Sequence, residues 1–318
     1  MIVKKRSTPL IIKQEEVLER RLPKDHPKRP TIIKSLKMRK AGLWGEQELD
    51  YPLSFLPQNQ YQIFHDVRLI EGKKAFQIDT LILTDQLAII LEVKNISGII
   101  EFDSTFDQLI RKLQGREERL PNPLAQVGRQ RRQLANWFAS HNIFIPIKCF
   151  VVMTHPSCVL KASEINPHQH TITHVENLQQ KIIKLEAEYI SEHKLPSIIN
   201  KIILNAHTPL GPIDVLNKYG IHYDDLRKGV ECPRCLSSPM KWMRRRWRCS
   251  SCYFFSSDAH LRTISDYFLL GYMTINNAAF RELIQHNDQA VSKYFLSKMN
   301  LQTSGHKRSL LYHSPHPL

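Results

Sequence analysis

Two short apolar runs, Phe76-Gln77-Ile78-Asp79-Thr80-Leu81-Ile82-Leu83 and Leu87-Ala88-Ile89-Ile90-Leu91-Glu92-Val93-Lys94, constrain this chain more than any other stretch. They are rich in β-branched residues and are split only by Thr84-Asp85-Gln86. The pattern predicts a β-hairpin, although its turn lacks the glycine that the tightest turns favour. A turn centred on Asp85-Gln86 would set Asp79 opposite Glu92 and Gln77 opposite Lys94. Strand alternation then puts these four on one side of the sheet, with Leu81, Leu83, Ala88 and Ile90. Ile78, Thr80, Ile82, Ile89, Leu91 and Val93 take the other side and pack on a core.

Carboxylates facing each other on a half-buried sheet are costly, because like charges repel and neither is well solvated. A hard divalent cation relieves both problems: Mg²⁺ takes oxygen ligands and keeps several waters for a substrate and a nucleophile. Lys94, one pleat beyond Glu92, is placed to orient a water or to stabilise a charged phosphorane. A surface hairpin with scattered charges is the bland alternative. Strands apolar on both faces seldom carry a solvated row of charge.

Asp79 followed by Glu92-x-Lys94 resembles the core of the PD-(D/E)xK nucleases. Upstream Gly42-x-x-Gly45-Glu46 and Gln77-Ile78-Asp79, and downstream Asn122-Pro123-x-x-Gln126, resemble the NERD (nuclease-related) domain, in order over residues 40–180. The resemblance implies an α/β fold, a restriction-endonuclease-like mixed sheet flanked by helices. It implies a metal-dependent nuclease with Mg²⁺ or Mn²⁺ held by Asp79 and Glu92, and with the Val93 carbonyl as a third ligand. It further implies that Glu46 lines the metal site from the first helix and that Gln126 points into it.

With 318 residues the chain can form two or three domains. A net charge of +15 favours a polyanionic partner, either nucleic acid, with DNA first, or an anionic membrane. No apolar run reaches the ~18 residues of a membrane span. No lipid-facing amphipathic helix stands out, and Met1-Ile2-Val3-Lys4-Lys5-Arg6 lacks the apolar region of a signal peptide. A membrane partner is therefore not expected. Four of the six cysteines fall in two C-x₂-C pairs, which suits a metal site in a reducing, cytoplasmic setting better than disulfides.

Five segments are expected. Residues 1–40 read as a basic arm, with a short helix broken by Pro23, Pro27 and Pro30. Residues 41–206 hold the nuclease-like domain. In it Ile99-Ile100-Glu101-Phe102 extends the sheet before a loop through Gly115 and Pro121. A helix starts at Asn122-Pro123, sound N-terminal chemistry, and carries Arg129 and Arg132 for a phosphate backbone. Cys149 falls in a core strand and Cys158 in a loop. His155, His168, His170 and His174 form no evident H-x₃-H unit on a helix and read as a polar loop plus strand. Residues 207–230, with Pro209, Gly211, Pro212, Gly220 and Gly229, read as a linker.

Cys232-Pro-Arg-Cys235 and Cys249-Ser-Ser-Cys252 then predict a closed, structural Cys₄ Zn²⁺ site in a ribbon over 231–257. Between the knuckles, Arg244, Arg245, Arg246 and Trp247 mix cations with indole, which suits phosphate contact and base stacking. A small ribbon also needs aromatic packing, the competing use of its tryptophans. Residues 258–318 read as three helices followed by extended pieces, a winged helix-turn-helix. Gln289, Ser292 and Lys293 would lie on its reading helix, and Lys307 and Arg308 in its wing. A helical cap on the ribbon is the plainer alternative. Two functions compete: a nuclease, and a non-catalytic nucleic-acid-binding or regulatory protein with a silent nuclease core.

Overall fold

The computed structural model describes residues 1–103, 106, 108–162, 171–189, 198–211 and 213–315. It divides into two units, Met1–Ser7 with Lys40–Pro209 and Thr8–Arg39 with Leu210–Leu318. The chain opens with β1 (Ile2–Lys4), α1 (Leu10–Arg21), α2 (Arg29–Gln47) and α3 (Asp50–Ser54). The sheet strands β2 (Gln62–Glu71), β3 (Lys74–Leu83) and β4 (Ala88–Lys94) follow, then β5 (Gly98–Asp103), β6 (Gln108–Leu113) and β7 (Arg116–Leu120). Next come α4 (Pro123–Ala139), β8 (Ile147–Met153), β9 (Cys158–Ala162), β10 (Ile172–His174), α5 (Leu178–Ala187) and α6 (Ile199–Ala206).

In the first unit, six strands among the described residues form a mixed sheet in the order β1-β2-β3-β4-β8-β10. β2, β3 and β4 make an antiparallel meander, and β8 joins β4 in parallel. A parallel partner needs a long crossover, and α4 lies on it. Asn122 caps α4 by accepting the Leu124 N–H at 2.9 Å, with Pro123 in the first turn where its missing donor costs nothing. The α4 side chains Leu134, Trp137 and Phe138 pack with Leu81, Leu83, Ala88 and Ile90 on one sheet face. On the other face Ile82, Ile89 and Leu91 pack with Leu53 of α3 and Leu178 and Ile182 of α5. These are the helix layers expected on both sides of a mixed sheet.

Ile99–Phe102 does not extend this sheet. β5 instead takes β6 on one edge and β9 on the other in a second sheet, order β7-β6-β5-β9. The expected loop through Gly115 is the β6–β7 hairpin. Its two turn residues, Gln114 (φ 51°) and Gly115 (φ 76°), both take the left-handed conformation that two-residue hairpin turns require. Cys158, expected in a loop, is buried at the start of β9.

The second unit continues with α7 (Val215–Tyr219), β11 (Lys241–Met243), β12 (Arg246–Arg248), β13 (Phe255–Ser256), α8 (Ala259–Leu269) and β14 (Thr274–Ile275). It closes with α9 (Asn277–Ile284), α10 (Gln289–Lys298), β15 (Thr303–Ser304) and β16 (Leu311–His313). Two expectations fail here. The arm is not a free tail: β1 pairs with β2, while Val17 and Leu18 of α1 and Leu22 just after it are buried in the second unit. Pro30 does not break a helix but sits near the start of α2. The 207–230 stretch is no plain linker, since Val215, Leu216, Ile221 and Leu226 join the same core as α1. Proline and glycine density marked turns correctly, but burial of the apolar residues between them decided the packing. β11, β12 and β13 form one small sheet, and β14-β16-β15 another. Among the described residues no helix is long and apolar enough to cross a membrane.

Candidate active site and cysteine cluster

The expected hairpin register is the observed one: Leu83 pairs with Ala88, Ile82 with Ile89, Leu81 with Ile90 and Thr80 with Leu91. The ladder stops there, one step short of Asp79 and Glu92. The Val93 N–H, which a continued ladder would turn to a backbone carbonyl, donates to Asp79 Oδ2 at 3.1 Å. On the other edge of β3 the pairing with β2 is also interrupted at this point. His65 pairs with Thr80 and Val67 with Ile78, so Asp66 falls opposite Asp79, with a left-handed φ of 52°. The expected alternation breaks with it. Ile78 packs in the cluster of Leu81, not in that of Ile82.

Glu92 and Lys94 sit on a strand held firmly by β8, with Glu92 paired to Val151 and Lys94 to Met153. Glu92 is 2 % exposed. Its Oε1 accepts from Lys94 Nζ at 2.5 Å and its Oε2 from Gln130 Nε2 at 2.9 Å. Lys94 Nζ also donates to Gln126 Oε1 at 3.2 Å. Gln126 and Gln130 are one helical turn apart on α4, so they share a face over the strand ends. Gln130 also donates to the Gln77 carbonyl at 3.0 Å, holding β3 to the helix.

Glu46 comes from the C-terminal turn of α2. Gly45 lets that turn in: a Cβ there would lie 2.5 Å from Asn95 Cβ and 2.8 Å from Thr154 Oγ1. Asn95 Nδ2 donates to the Ala41 carbonyl at 2.7 Å across the same contact. Burial first, then the nearby Asp66 charge and, to a smaller extent, Glu92, push the Glu46 carboxyl up to about 7; Arg6 and, less strongly, Lys94 oppose this. Glu46 Oε2 is buried without a hydrogen-bond partner, 3.6 Å from Arg6 Nε. Asp79 is also pushed well above the ordinary carboxylate range. Burial leads, Glu92 and Glu46 add to it, and the Val93 N–H and Lys94 act against it.

Arg6 was not singled out by sequence. It stands two residues beyond β1, and parallel pairing to β2 delivers it. It reaches Asp50 Oδ1 at 2.6 Å and His65 Nδ1 at 3.0 Å. His65 is buried, shares Nδ1 with the Thr80 hydroxyl at 3.0 Å, and is pushed down to about 4 by burial and then Arg6. Gln130 was missed as well, although its spacing from Gln126 was a usable signal.

The donor set fits a hard divalent cation. Glu46, Asp79 and Glu92 are oxygen donors near enough to act on one another's charge, two are held above their ordinary range, and one buried oxygen has no hydrogen-bond partner, although the three do not converge as tightly as the four cysteines of the second unit.

In the second unit Cys232, Cys235, Cys249 and Cys252 bring their sulfurs within 4.8 Å of one another. Cys232 and Cys252 Sγ are 3.6 Å apart, Cys235 and Cys249 Sγ 3.5 Å. These are far from the ~2.05 Å of a disulfide and near the ~3.8 Å edge of a tetrahedron with metal–sulfur bonds of about 2.3 Å. The Ser251 and Cys252 N–H groups both donate to Cys249 Sγ at 3.4 Å. Four sulfurs in this geometry are compatible with a metal site. Among the described residues, no other group of three or more Cys, His or carboxylate side chains converges this tightly. His168 and His170 lie outside the described residues.

The residues expected on nucleic acid divide. Arg129 and Arg132 are exposed on α4, as are Arg244, Arg245 and Arg246 around the β11–β12 turn, Gln289 and Lys293 on α10, and Lys307. Trp247 is not available: it is 1 % exposed and its Nε1 donates to His260 Nδ1 at 3.1 Å. Ser292 is fully buried, 0 % exposed, because it lies on the α10 face that packs inward with Phe295 and Leu296. The Arg308 side chain is outside what the structure describes.

Residues 41–154 match the family model of the nuclease-related domain, NERD. The match takes in Glu46, Asp79, Glu92, Lys94, Gln126 and Gln130. No curated protein and no solved structure matches the chain.

Proposed function

We propose, from the premise that residues 41–154 form a nuclease-related domain, that this protein hydrolyses phosphodiester bonds in nucleic acid, with DNA the leading substrate. The observation that carries the reading is the gathering of Asp79, Glu92 and Lys94 where the β3–β4 ladder stops, with Glu46 and Gln126 alongside. Asp79 and Glu92 would hold Mg²⁺ or Mn²⁺, with the Val93 carbonyl as a third ligand and Glu46 as a ligand or its neighbour. Such an ion supplies Lewis acidity and lowers the pKa of a bound water. Lys94 holds its ammonium between Glu92 and Gln126 and can donate to the attacking water or to a charged phosphate oxygen. Gln130 fixes the Glu92 carboxylate in place. The core around Ile90, Leu81 and Leu134 keeps water away from the back of the site.

The cysteine cluster is read as a structural Zn²⁺ ribbon over 231–257. The α8–β14–α9–α10–β15–β16 order, with β16 between its two partners, is read as a winged helix-turn-helix over 258–318. Both suit substrate binding. The two C-x₂-C pairs suit a metal site in a reducing, cytoplasmic setting.

The rival, a nucleic-acid-binding or regulatory protein with a silent core, draws on one observation. Both Glu92 oxygens already accept hydrogen bonds, from Lys94 and Gln130. The deciding experiment sets wild type beside Glu92→Gln on plasmid, linear, single-stranded and branched substrates with Mg²⁺ or Mn²⁺. Cutting by wild type alone is expected. No cutting of any DNA or RNA form would hand the case to the silent-core reading. Zinc should be present at about one per chain and be lost in Cys235→Ser; unchanged metal in that variant removes the ribbon assignment.

A further inference from the structure

The ribbon sheet has two unlike faces. Trp242 pairs with Trp247 and Trp247 with Ser256, and these three look inward to the core built on Phe268, Phe280 and Phe295. Alternation turns the remaining residues outward. Lys241, Arg248 and Phe255 stand abreast across the three strands, with Met243 beside Arg246 one step along. Phe255 is 47 % exposed and Tyr253 64 %. The Arg248 guanidinium lies over the Tyr253 ring, 5.1 Å from its centroid. The knuckle fixes these rings: the Cys249 N–H donates to the Phe254 carbonyl at 2.9 Å, and Tyr253 is held at a left-handed φ of 57°. At the far end the β11–β12 turn puts Arg244 and Arg245 at φ 49° and 60°, projecting two guanidinium groups. Residues 232–257 contain six cations and no Asp or Glu.

Exposed rings of this kind are costly in water: Tyr253 has only one face covered, by the Arg248 guanidinium, and Phe255 stays about half open to solvent. Rings interleaved with cations match one occupant, a strand whose bases are free to stack while its phosphates meet the cations. Duplex bases are stacked on each other and offer only their edges, so a ring platform selects unpaired ones. We propose that the outward face of the ribbon sheet, through Phe255, Tyr253, Arg248 and Arg246, binds single-stranded nucleic acid. This deepens the reading of the protein as one that acts on nucleic acid and names the form its second unit takes. The stacking residues are then the exposed Phe255 and Tyr253, not the buried Trp247.

The test is fluorescence anisotropy on the full zinc-loaded chain carrying Asp79→Ala, so that nothing is cut. The probes are an oligothymidylate of about 15 nucleotides, matching typical single-strand site sizes, and a duplex of equal length. Single strand is expected to bind about tenfold or more tighter than duplex. Phe255→Leu, which keeps apolar bulk and loses the ring, combined with Tyr253→Ser, should cost about tenfold on single strand and little on duplex. Arg246→Ala should weaken both and flatten the salt dependence. Zinc content confirms that the ribbon survives; if the double variant loses zinc, Phe255→Leu alone is measured, with Phe255→Trp expected to restore binding. Unchanged single-strand affinity in the ring variants overturns the proposal, as does equal or tighter duplex binding. Failure of wild type to cut would sink the nuclease reading and leave this measurement standing, so the two failures are distinguishable.

Discussion

Each unit of this protein buries a knot of charge, and the two knots are built on opposite lines. In the first unit Glu46, Asp79, Glu92 and Asp66 crowd around Lys94 and Arg6, and the Glu46 and Asp79 carboxyls are pushed above their ordinary range. In the second, Asp266 is clasped by two arginines. Its Oδ1 accepts from Arg20 Nη2 at 2.8 Å, and its Oδ2 from Arg21 Nε and Nη2 at 2.9 and 2.8 Å. Glu15, fully buried there, gathers Tyr219, Arg39, Ser35 and Lys218 on one oxygen. Burial alone would raise its pKa, but the Tyr219, Ser35 and Lys218 hydrogen bonds and the Arg39 charge outweigh burial, and the carboxyl falls below its ordinary value. Acids neutralised by neighbours hold a fold together. Acids left repelling one another are a cost that folding tolerates where chemistry needs them.

The contrast can be broken most sharply at Asp79. Asp79→Ala should lower cutting about a thousandfold, the scale of losing a central charge-stabilising group, while the thermal midpoint holds or rises. A normal rate, or a large fall in midpoint, would put Asp79 on the structural side. Asp266→Ala should do the reverse. It strands Arg21 in a buried site and should cost about 3–5 kcal/mol in denaturant unfolding. A loss under about 1 kcal/mol would show that water reaches the arginines easily.

The smallest effect is expected at Glu15. A carboxyl with a depressed folded pKa binds protons less readily folded than unfolded. Its stabilisation is therefore present above the ordinary carboxylate value and is lost as pH falls through the lower folded one. Glu15→Gln should flatten the acid limb of a stability–pH curve and leave its neutral slope alone. An unchanged acid limb would mean the Tyr219 and Lys218 contacts do not hold in solution.

Much of the site was legible because it is local. A hairpin with its turn at Asp85-Gln86 has one register that keeps its apolar residues buried, so Asp79 and Glu92 fall next to each other just past the end of the ladder. Gly45 was legible as part of a motif, and the structure supplies its reason, a helix turn pressed onto Asn95. Trp247 and Ser292 misled for a shared reason. Residue type told that they could touch nucleic acid, but which face of a short strand or helix looks outward depends on what packs behind it.

From its residue order alone this chain settled its central hairpin, its pairing of acids with an amine, its four-cysteine cluster and its basic character, because each rests on spacings of a few residues. Tertiary structure alone decided that Arg6 reaches Glu46, that β5 leaves the main sheet, and that α1 and the 215–226 stretch share one core. Those outcomes join segments tens to hundreds of residues apart. No local pattern encodes them, and they follow from which apolar surfaces can be buried against each other at once.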